Sequence, residues 1–242
     1  MKRSCLFIFL ALVLGCTKNK VAGRERNILN ILFIGNSLTY INDVPALVKE
    51  LGKLDSISID YKTISGPNYG LDDHLAEGMV QQEIKTGKYD YVVVQQGPSA
   101  LPESQANLMH AIAKYKALCK EFNTKLAVYM VWPFQSRLFD LDNVIFSYSK
   151  AGKTHSALIC AAGLAWKIAW SIDSSLSLYG PDGFHPNMKG SLLAAMVIYG
   201  TLTGKYSFGN RQINNASWSK QVSAETMRTL KQASKEAIET KF

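Results

Sequence analysis

The sequence is poor in the residues from which metal centres and disulfide scaffolds are built, with four cysteines and four histidines among 242 residues. It contains no His-Glu-x-x-His motif and no cluster of cysteines, so the common zinc signatures are missing and we expect neither a metal nor a cofactor. It also has no internal repeat and no low-complexity segment, which excludes repeat architectures.

The charge pattern and the first loop argue against two further classes of partner. Lysine and arginine outnumber aspartate and glutamate by 27 to 19, which gives a formal net charge of +8. These basic residues are spread along the chain and do not cluster with aromatic residues, so we expect no nucleic-acid partner. The loop after the first predicted strand lacks a glycine-rich cradle, which disfavours phosphate or nucleotide binding there.

The first 15 residues have the form of an export signal. Two basic residues precede an apolar run over residues 6–14, which is too short to span a bilayer and ends two residues before Cys16. A cleavage site directly before a cysteine resembles the lipobox of bacterial lipoproteins. That resemblance implies lipidation of Cys16 and a membrane anchor on the periplasmic face or the cell surface, and an ordinary secretory peptide is the alternative. Polar residues 16–26 then form a tether, and residues 27–242 form one domain.

Two of the four cysteines remain in the predicted domain after Cys5 leaves with the signal and Cys16 is acylated. Cys119 lies in a helical pattern and Cys160 in an apolar one. We expect both to be buried free thiols. A disulfide is the alternative that an oxidising compartment permits.

Five apolar or alternating segments are predicted as strands, and helical patterns separate them. The predicted strands cover residues 28–34, 57–64, 89–95, 126–131 and 158–162. The predicted helices cover residues 43–54, with Asp43 as N-cap, 71–86, 103–122, 144–156, 164–171, 187–202 and 224–240, and residues 133–143 and 204–220 are predicted loops. This alternation indicates an α/β fold, doubly wound and flavodoxin-like, with three α/β/α layers around a parallel five-stranded sheet.

A serine, a histidine and an aspartate form the candidate catalytic set. Ser37 follows Gly35 at the end of the first predicted strand, where ligands bind in open α/β sheets. Asp182 and His185 lie three residues apart near the other end of the chain. A serine hydroxyl needs a base within hydrogen-bond reach and a third group that orients the base, and these residue types supply both.

Two sequence blocks resemble those of the SGNH (GDSL-type) hydrolase superfamily. They are Gly35-Asn36-Ser37-Leu38-Thr39, with Asn36 where the family has aspartate, and Asp182-Gly183-Phe184-His185-Pro186. The resemblance implies that Ser37 is the nucleophile, that His185 is the base and that Asp182 is its partner. It also implies an oxyanion hole that contains the N–H groups of Ser37 and Gly66, with Gly70 as the second match to the family's glycine.

The third block departs from the family pattern. Most members have Gly-x-Asn-Asp, whereas this chain has Gln95-Gln96-Gly97-Pro98-Ser99. The carbohydrate-esterase branch has a similar Gln-Gly pair, which implies that Gln96 is the third oxyanion donor. Gln95 and Ser99 remain alternatives.

The resemblance implies a serine ester hydrolase that acts through an acyl-enzyme, with a small-molecule or glycan ester as substrate. The predicted reaction removes acetyl or short acyl groups from carbohydrate. Trp132, which follows the fourth predicted strand, and Asn36 are the expected substrate-binding residues. An acyltransferase acting on sugar hydroxyls and a non-catalytic glycan-binding lipoprotein are the alternatives. His74, His110 and His155 are interpreted as structural or surface residues.

Overall fold

The computed structural model describes residues 28–206 and 216–242. The predicted signal (1–15), tether (16–26) and lipidation site Cys16 lie outside the described residues, as do residue 27 and part of the predicted loop 204–220. Within the described ranges, no helix combines the length and apolar character needed to cross a bilayer.

The five strands form one parallel sheet. They are β1 (Ile28–Gly35), β2 (Ser58–Ser65), β3 (Tyr91–Val94), β4 (Lys125–Tyr129) and β5 (Leu158–Cys160). Their spatial order is β2-β1-β3-β4-β5, and every neighbouring pair is parallel. This is the flavodoxin-like order, so the predicted fold class is confirmed.

Nine α-helices lie in the described residues. They are α1 (Ser37–Tyr40), α2 (Val44–Leu54), α3 (Leu71–Glu77), α4 (Met79–Lys85), α5 (Pro102–Glu121), α6 (Leu141–Thr154), α7 (Ala162–Ile172), α8 (Met188–Thr203) and α9 (Ala224–Glu239). Helices α2, α7, α8 and α9 pack together on one face of the sheet, and α3 to α6 pack on the other. Each face of the sheet is therefore covered, as the apolar runs of its strands predict.

A side-chain cap and a glycine in a left-handed conformation determine where two of the predicted helices begin or divide. Asp43 is the predicted N-cap of α2 and accepts the Ala46 N–H at 3.1 Å. Gly78, with φ +79°, divides the helix predicted over residues 71–86 into α3 and α4. The loop predicted over residues 133–143 contains a 3₁₀ turn, Gln135–Asp140, and the first residues of α6.

The core is continuous from the sheet into α8. That helix is apolar around most of its circumference because α2, α7 and α9 contact it. Cys119 and Cys160 are fully buried and unpaired, so the prediction of two free thiols is confirmed. Burial raises the pKa of each thiol to about 12.

The register of the sheet determines where the site forms. Gly35 at the end of β1 pairs with Ser65 at the end of β2, and Ile34 pairs with Val94 at the end of β3. The loops that follow these three strands therefore leave from one edge of the sheet. The connections on either side of β1 run in opposite directions, which makes this edge the topological switch point.

Candidate active site

The loop that carries Ser37 has no room for a side chain at its first position. A Cβ at Gly35 would lie 2.5 Å from both Gln95 Oε1 and Thr39 Oγ1, so glycine is required there. Asn36 then caps α1, because its Oδ1 accepts the Leu38 N–H at 3.1 Å. Ser37 is the first residue of α1, and its own N–H therefore has no acceptor within the helix.

Asp182 and His185 form a hydrogen-bonded pair within one turn. Asp182 Oδ2 lies 2.5 Å from His185 Nδ1, and Asp182 Oδ1 accepts the N–H groups of Phe184 and His185, each at 3.0 Å. The Phe184 N–H, followed by the His185 side chain, lowers the pKa of Asp182 from 3.8 to about 2. An ionised carboxylate only accepts, so His185 Nδ1 carries the ring proton and Nε2 has the lone pair that can accept a proton.

The backbone around this turn is held from two sides. The Gly180 N–H donates to the His185 carbonyl at 2.7 Å, and Gly183 adopts φ +67°, which favours glycine. From the loop after β4, the Gln135 N–H donates to the Gly183 carbonyl at 2.7 Å. The imidazole is thus positioned by a rigid turn before any substrate arrives.

Asn42 joins the Ser37 loop to the His185 segment. Its Nδ2 donates to the Pro186 carbonyl and to Ser191 Oγ, each at 3.0 Å. Asn42 has φ 56°, a left-handed conformation that asparagine tolerates better than most residues. Among the described residues, no hydrogen bond joins the Ser37 hydroxyl to His185. Catalytic hydrogen bonds are often long in substrate-free structures and tighten when substrate binds.

Gln95, one of the three alternatives for the third oxyanion donor, has every hydrogen-bonding position of its side chain occupied. Its Oε1 accepts the Asn36 N–H at 3.0 Å and the Thr39 hydroxyl at 2.8 Å. Its Nε2 donates to Asn36 Oδ1 at 3.0 Å and to the Gln96 carbonyl at 2.7 Å. No donor remains for a substrate.

Within the described part of the chain, one of the two side-chain N–H groups of Gln96 has no acceptor. Its Nε2 donates one hydrogen to Ser99 Oγ at 2.9 Å, and an amide nitrogen carries two. Ser99 in turn donates its single hydroxyl hydrogen to the Gly97 carbonyl at 3.0 Å. The buried Tyr148 hydroxyl donates to the Gln96 carbonyl at 2.6 Å and fixes the backbone. Of the three alternatives, Gln96 has the side-chain donor best placed to be free.

The candidate glycine donors differ in how firmly they are held. The Gly66 N–H donates to the Gly35 carbonyl over a long 3.3 Å. That carbonyl also accepts from His74 Nε2 at 2.8 Å, so it keeps a partner if Gly66 turns away. The Gly70 N–H donates to Asp73 Oδ2 at 2.7 Å, a shorter bond. Gly66 is therefore the easier of the two to release.

The expected substrate contact of Trp132 is wrong, and that of Asn36 stays a prediction. Trp132 is 0% exposed, stacks on Trp166 with ring centroids 3.6 Å apart, and donates to the Phe184 carbonyl at 3.2 Å. Asn36 is buried, and its side chain also donates to the Tyr69 carbonyl at 3.0 Å. Both residues support the loops of the site, and Trp132 does not line a substrate surface.

Three supporting residues were not predicted from the sequence, namely Asn42, Gln135 and Tyr148. Each acts through a contact more than 45 residues away in the chain, and local pattern gives no signal for such contacts. His74 was interpreted as a structural or surface residue, and its buried ring, bonded to the Gly35 carbonyl, shows that it is not a surface residue.

The fold of this chain is similar to that of several solved structures. A protein from Slackia heliotrinireducens, described as a candidate SGNH hydrolase, has a TM-score of 0.63 at 23% identity, covering 73% of this chain and 100% of that one. A DUF4886 family protein from Bacteroides uniformis has a TM-score of 0.73 at 16% identity, covering 87% and 95%. A catalytic mutant of an acetylxylan esterase from Geobacillus stearothermophilus has a TM-score of 0.54 at 15% identity, covering 72% and 94%.

No family model and no curated protein matches the sequence. The structural likenesses confirm, for the fold, the resemblance that the sequence blocks carry. Because the identities are only 15% to 23%, these likenesses establish the architecture and not the activity. The chain has the fold of the SGNH hydrolases.

Proposed function

We propose that the protein is a serine ester hydrolase that acts through an acyl-enzyme on carbohydrate O-acetyl or short-chain acyl esters. The observation that carries this proposal is the Asp182–His185 pair, preformed in a rigid turn and tied through Asn42 to the loop of Ser37. The carbohydrate part rests on the likeness to a fold neighbour named as an acetylxylan esterase.

Acylation begins with attack of Ser37 Oγ on the ester carbonyl carbon, while His185 Nε2 takes the hydroxyl proton. The negative charge that develops on the carbonyl oxygen is met by the Ser37 N–H, the free Gln96 N–H and a released Gly66 N–H. Each such donor contributes roughly 3 kcal/mol of transition-state stabilisation. The tetrahedral intermediate then expels the alcohol, which receives the proton from His185, and an ester bond to Ser37 remains.

Deacylation uses the same groups in reverse order. His185 takes a proton from water, the resulting hydroxide attacks the acyl carbon, and His185 returns a proton to Ser37 Oγ as the carboxylic acid leaves. Asp182, with its pKa near 2, stays ionised and stabilises the imidazolium in both halves. If a sugar hydroxyl replaced water in this step, the same site would transfer the acyl group.

An aryl ester series tests the proposal. We expect p-nitrophenyl acetate to be hydrolysed, with kcat/KM falling as the acyl chain lengthens, and Ser37→Ala to lose roughly 10³-fold or more in kcat. A serine-directed phosphonate should label Ser37 in the wild type and not in His185→Ala. Equal rates for Ser37→Ala and wild type, or no label at Ser37, would overturn the proposal, and the latter would favour a glycan-binding lipoprotein.

We also propose that the chain is exported and anchored through an acylated Cys16. The support is the sequence alone: an apolar run of signal length that ends just before Cys16. Labelling with a radioactive fatty acid in a bacterial host tests it. Incorporation that is lost in Cys16→Ser supports the anchor, and export without incorporation supports an ordinary secretory peptide.

A further inference from the structure

A cavity of about 480 Å³ lies against the turn that carries His185. Gly180, which lines the cavity, donates its N–H to the His185 carbonyl at 2.7 Å. Gln135 also lines it, and the Gln135 N–H donates to the Gly183 carbonyl within the same turn. A ligand in this cavity would therefore contact the backbone that positions the base.

The size of the cavity exceeds what the proposed reaction needs for an acetyl group. Sites for small molecules span about 300 to 1,000 Å³, and this cavity falls within that range. An acetyl group has two carbon atoms and would leave most of the space empty. The cavity is therefore large enough for a whole sugar residue.

The walls of the cavity carry no charge. None of the described residues that line it is acidic, basic or a histidine, although the chain has a net charge of +8. A phosphate, a uronic acid or another anion would lose hydration there without gaining a cationic partner. The ligand that fits is neutral.

Polar groups with spare bonding capacity distinguish a sugar from a hydrocarbon chain. The Ser174 hydroxyl and the Gln135 side-chain amide have no hydrogen-bond partner within the described ranges, and both line the cavity. Both side chains are exposed, so water can hydrate them in the empty cavity, and a hydrocarbon chain that displaced this water would leave them unpaired. Sugar hydroxyls would pair with them.

An aromatic ring completes the wall. Trp170 lines the cavity, and its Nε1 is fixed by a 2.9 Å hydrogen bond to the Leu176 carbonyl. It also stacks on Tyr179, with ring centroids 5.9 Å apart. A ring held in this way is a rigid apolar part of the cavity wall, and a pyranose that packs against it costs little side-chain entropy.

We propose that this cavity is a subsite for a neutral sugar residue of a glycan ester. Its place in the reaction rests on the proposed esterase function, but sugar binding itself does not. The subsite gives the enzyme a preference for acylated neutral oligosaccharides over acylated uronides and over lipid esters.

Calorimetric binding to the full chain tests the subsite without requiring catalysis. The probes are cellotetraose, xylotetraose, mannotetraose, tetragalacturonate and decanoate. Ser174→Trp places a large side chain in the cavity from an exposed position, and Ser171→Trp is the matched control, an exposed serine of α7 outside the lining. We expect at least one neutral tetrasaccharide to bind the wild type and Ser171→Trp alike, and to bind Ser174→Trp about tenfold more weakly or worse.

The subsite is overturned if no neutral tetrasaccharide binds or if Ser174→Trp leaves that binding unchanged. It is also overturned if Ser174→Trp weakens the binding of decanoate or tetragalacturonate only. Kinetics separate this failure from failure of the esterase. In Ser174→Trp, kcat/KM should fall about tenfold more for an acetylated tetrasaccharide than for p-nitrophenyl acetate. If Ser174→Trp weakens sugar binding but the wild type is inactive on every ester, the subsite proposal stands and the esterase proposal is rejected.

Discussion

Gln95 and Asn36 are joined by two hydrogen bonds that run in opposite directions. Gln95 Oε1 accepts the Asn36 N–H, and Gln95 Nε2 donates to Asn36 Oδ1, each at 3.0 Å. The pair links the end of β3 to the residue before Ser37 in the buried interior. This explains why an apolar strand ends in an amide, because the loop that carries Ser37 needs a partner for its buried polar groups.

Replacing Gln95 should therefore affect both stability and the site. Gln95→Leu leaves the Asn36 N–H and the Thr39 hydroxyl buried without partners, so we expect the free energy of unfolding to fall by about 2 to 3 kcal/mol. Urea denaturation measures this, and phosphonate labelling of Ser37 should become slower. Gln82→Leu, on the exposed surface of α4, is the control and should change neither quantity. Equal stability of the two variants would contradict the role of the pair.

Asp182 gives a prediction about activity. Asp182→Asn keeps the shape of the side chain but removes the charge that orients and stabilises the imidazolium, so kcat should fall by about 10²- to 10⁴-fold. The control is Asp142→Asn, an exposed carboxylate paired with Lys167. A loss in Asp182→Asn smaller than tenfold would indicate that the backbone bonds of the turn orient His185 without the carboxylate.

The pKa of Asp182 sets a second, pH-dependent outcome. The folded pKa, about 2, lies below the ordinary value of 3.8, so the stabilisation is present above pH 3.8 and is lost as the pH falls towards 2. We expect the free energy of unfolding of the wild type to drop more steeply than that of Asp182→Asn between about pH 4 and pH 2. Parallel curves over that window would show that the carboxylate is not stabilised in the folded state.

The alternation of strands and helices and the candidate catalytic residue types followed from periodicity and short blocks, because these are local properties of the chain. Buried runs identified β1, β3 and β4, and a serine just past β1 was placed at the correct edge. Trp132 was assigned to the substrate because an aromatic after a strand has the same local pattern whether it is exposed or buried. Its burial depends on Trp166, in a helix that local sequence cannot position.

The choice among Gln95, Gln96 and Ser99 was also beyond the sequence. All three are polar residues at the end of one strand, and only the hydrogen bonds reveal which donors are already used. A residue's function in this block is therefore determined by what its neighbours leave free.

Gln96 and Ser99 can be separated by their effects on rate. Gln96→Ala removes the proposed oxyanion donor and should lower kcat by about 10²- to 10³-fold with little change in KM. Ser99→Ala removes the acceptor that holds the amide and the donor to the Gly97 carbonyl but no proposed oxyanion donor, so its loss in kcat should stay below about tenfold. The reverse order of effects would assign the donor to Ser99, and a loss in KM alone would place Gln96 in substrate binding.

His74 provides a test of how Gly66 enters the oxyanion hole. Since the Gly35 carbonyl only accepts, the His74 Nε2 that lies 2.8 Å away carries the proton. In the proposed mechanism the Gly66 N–H turns towards the substrate, and this imidazole then keeps the Gly35 carbonyl paired. His74→Phe keeps an aromatic ring but cannot donate, so we expect the free energy of unfolding to fall by about 1 to 3 kcal/mol.

The same variant should lower kcat without a matching rise in KM, because its effect falls on the step in which charge develops on the oxyanion. His74→Gln, which can still donate to the carbonyl, should restore a large part of both stability and kcat. His110→Phe, on the exposed face of α5, is the matched control. If His74→Phe lowered stability but kept the kcat of the wild type, His74 would not be needed as a second partner for the Gly35 carbonyl during the reaction. Gly66 would then stay bonded to that carbonyl, and only Ser37 and Gln96 would donate to the oxyanion.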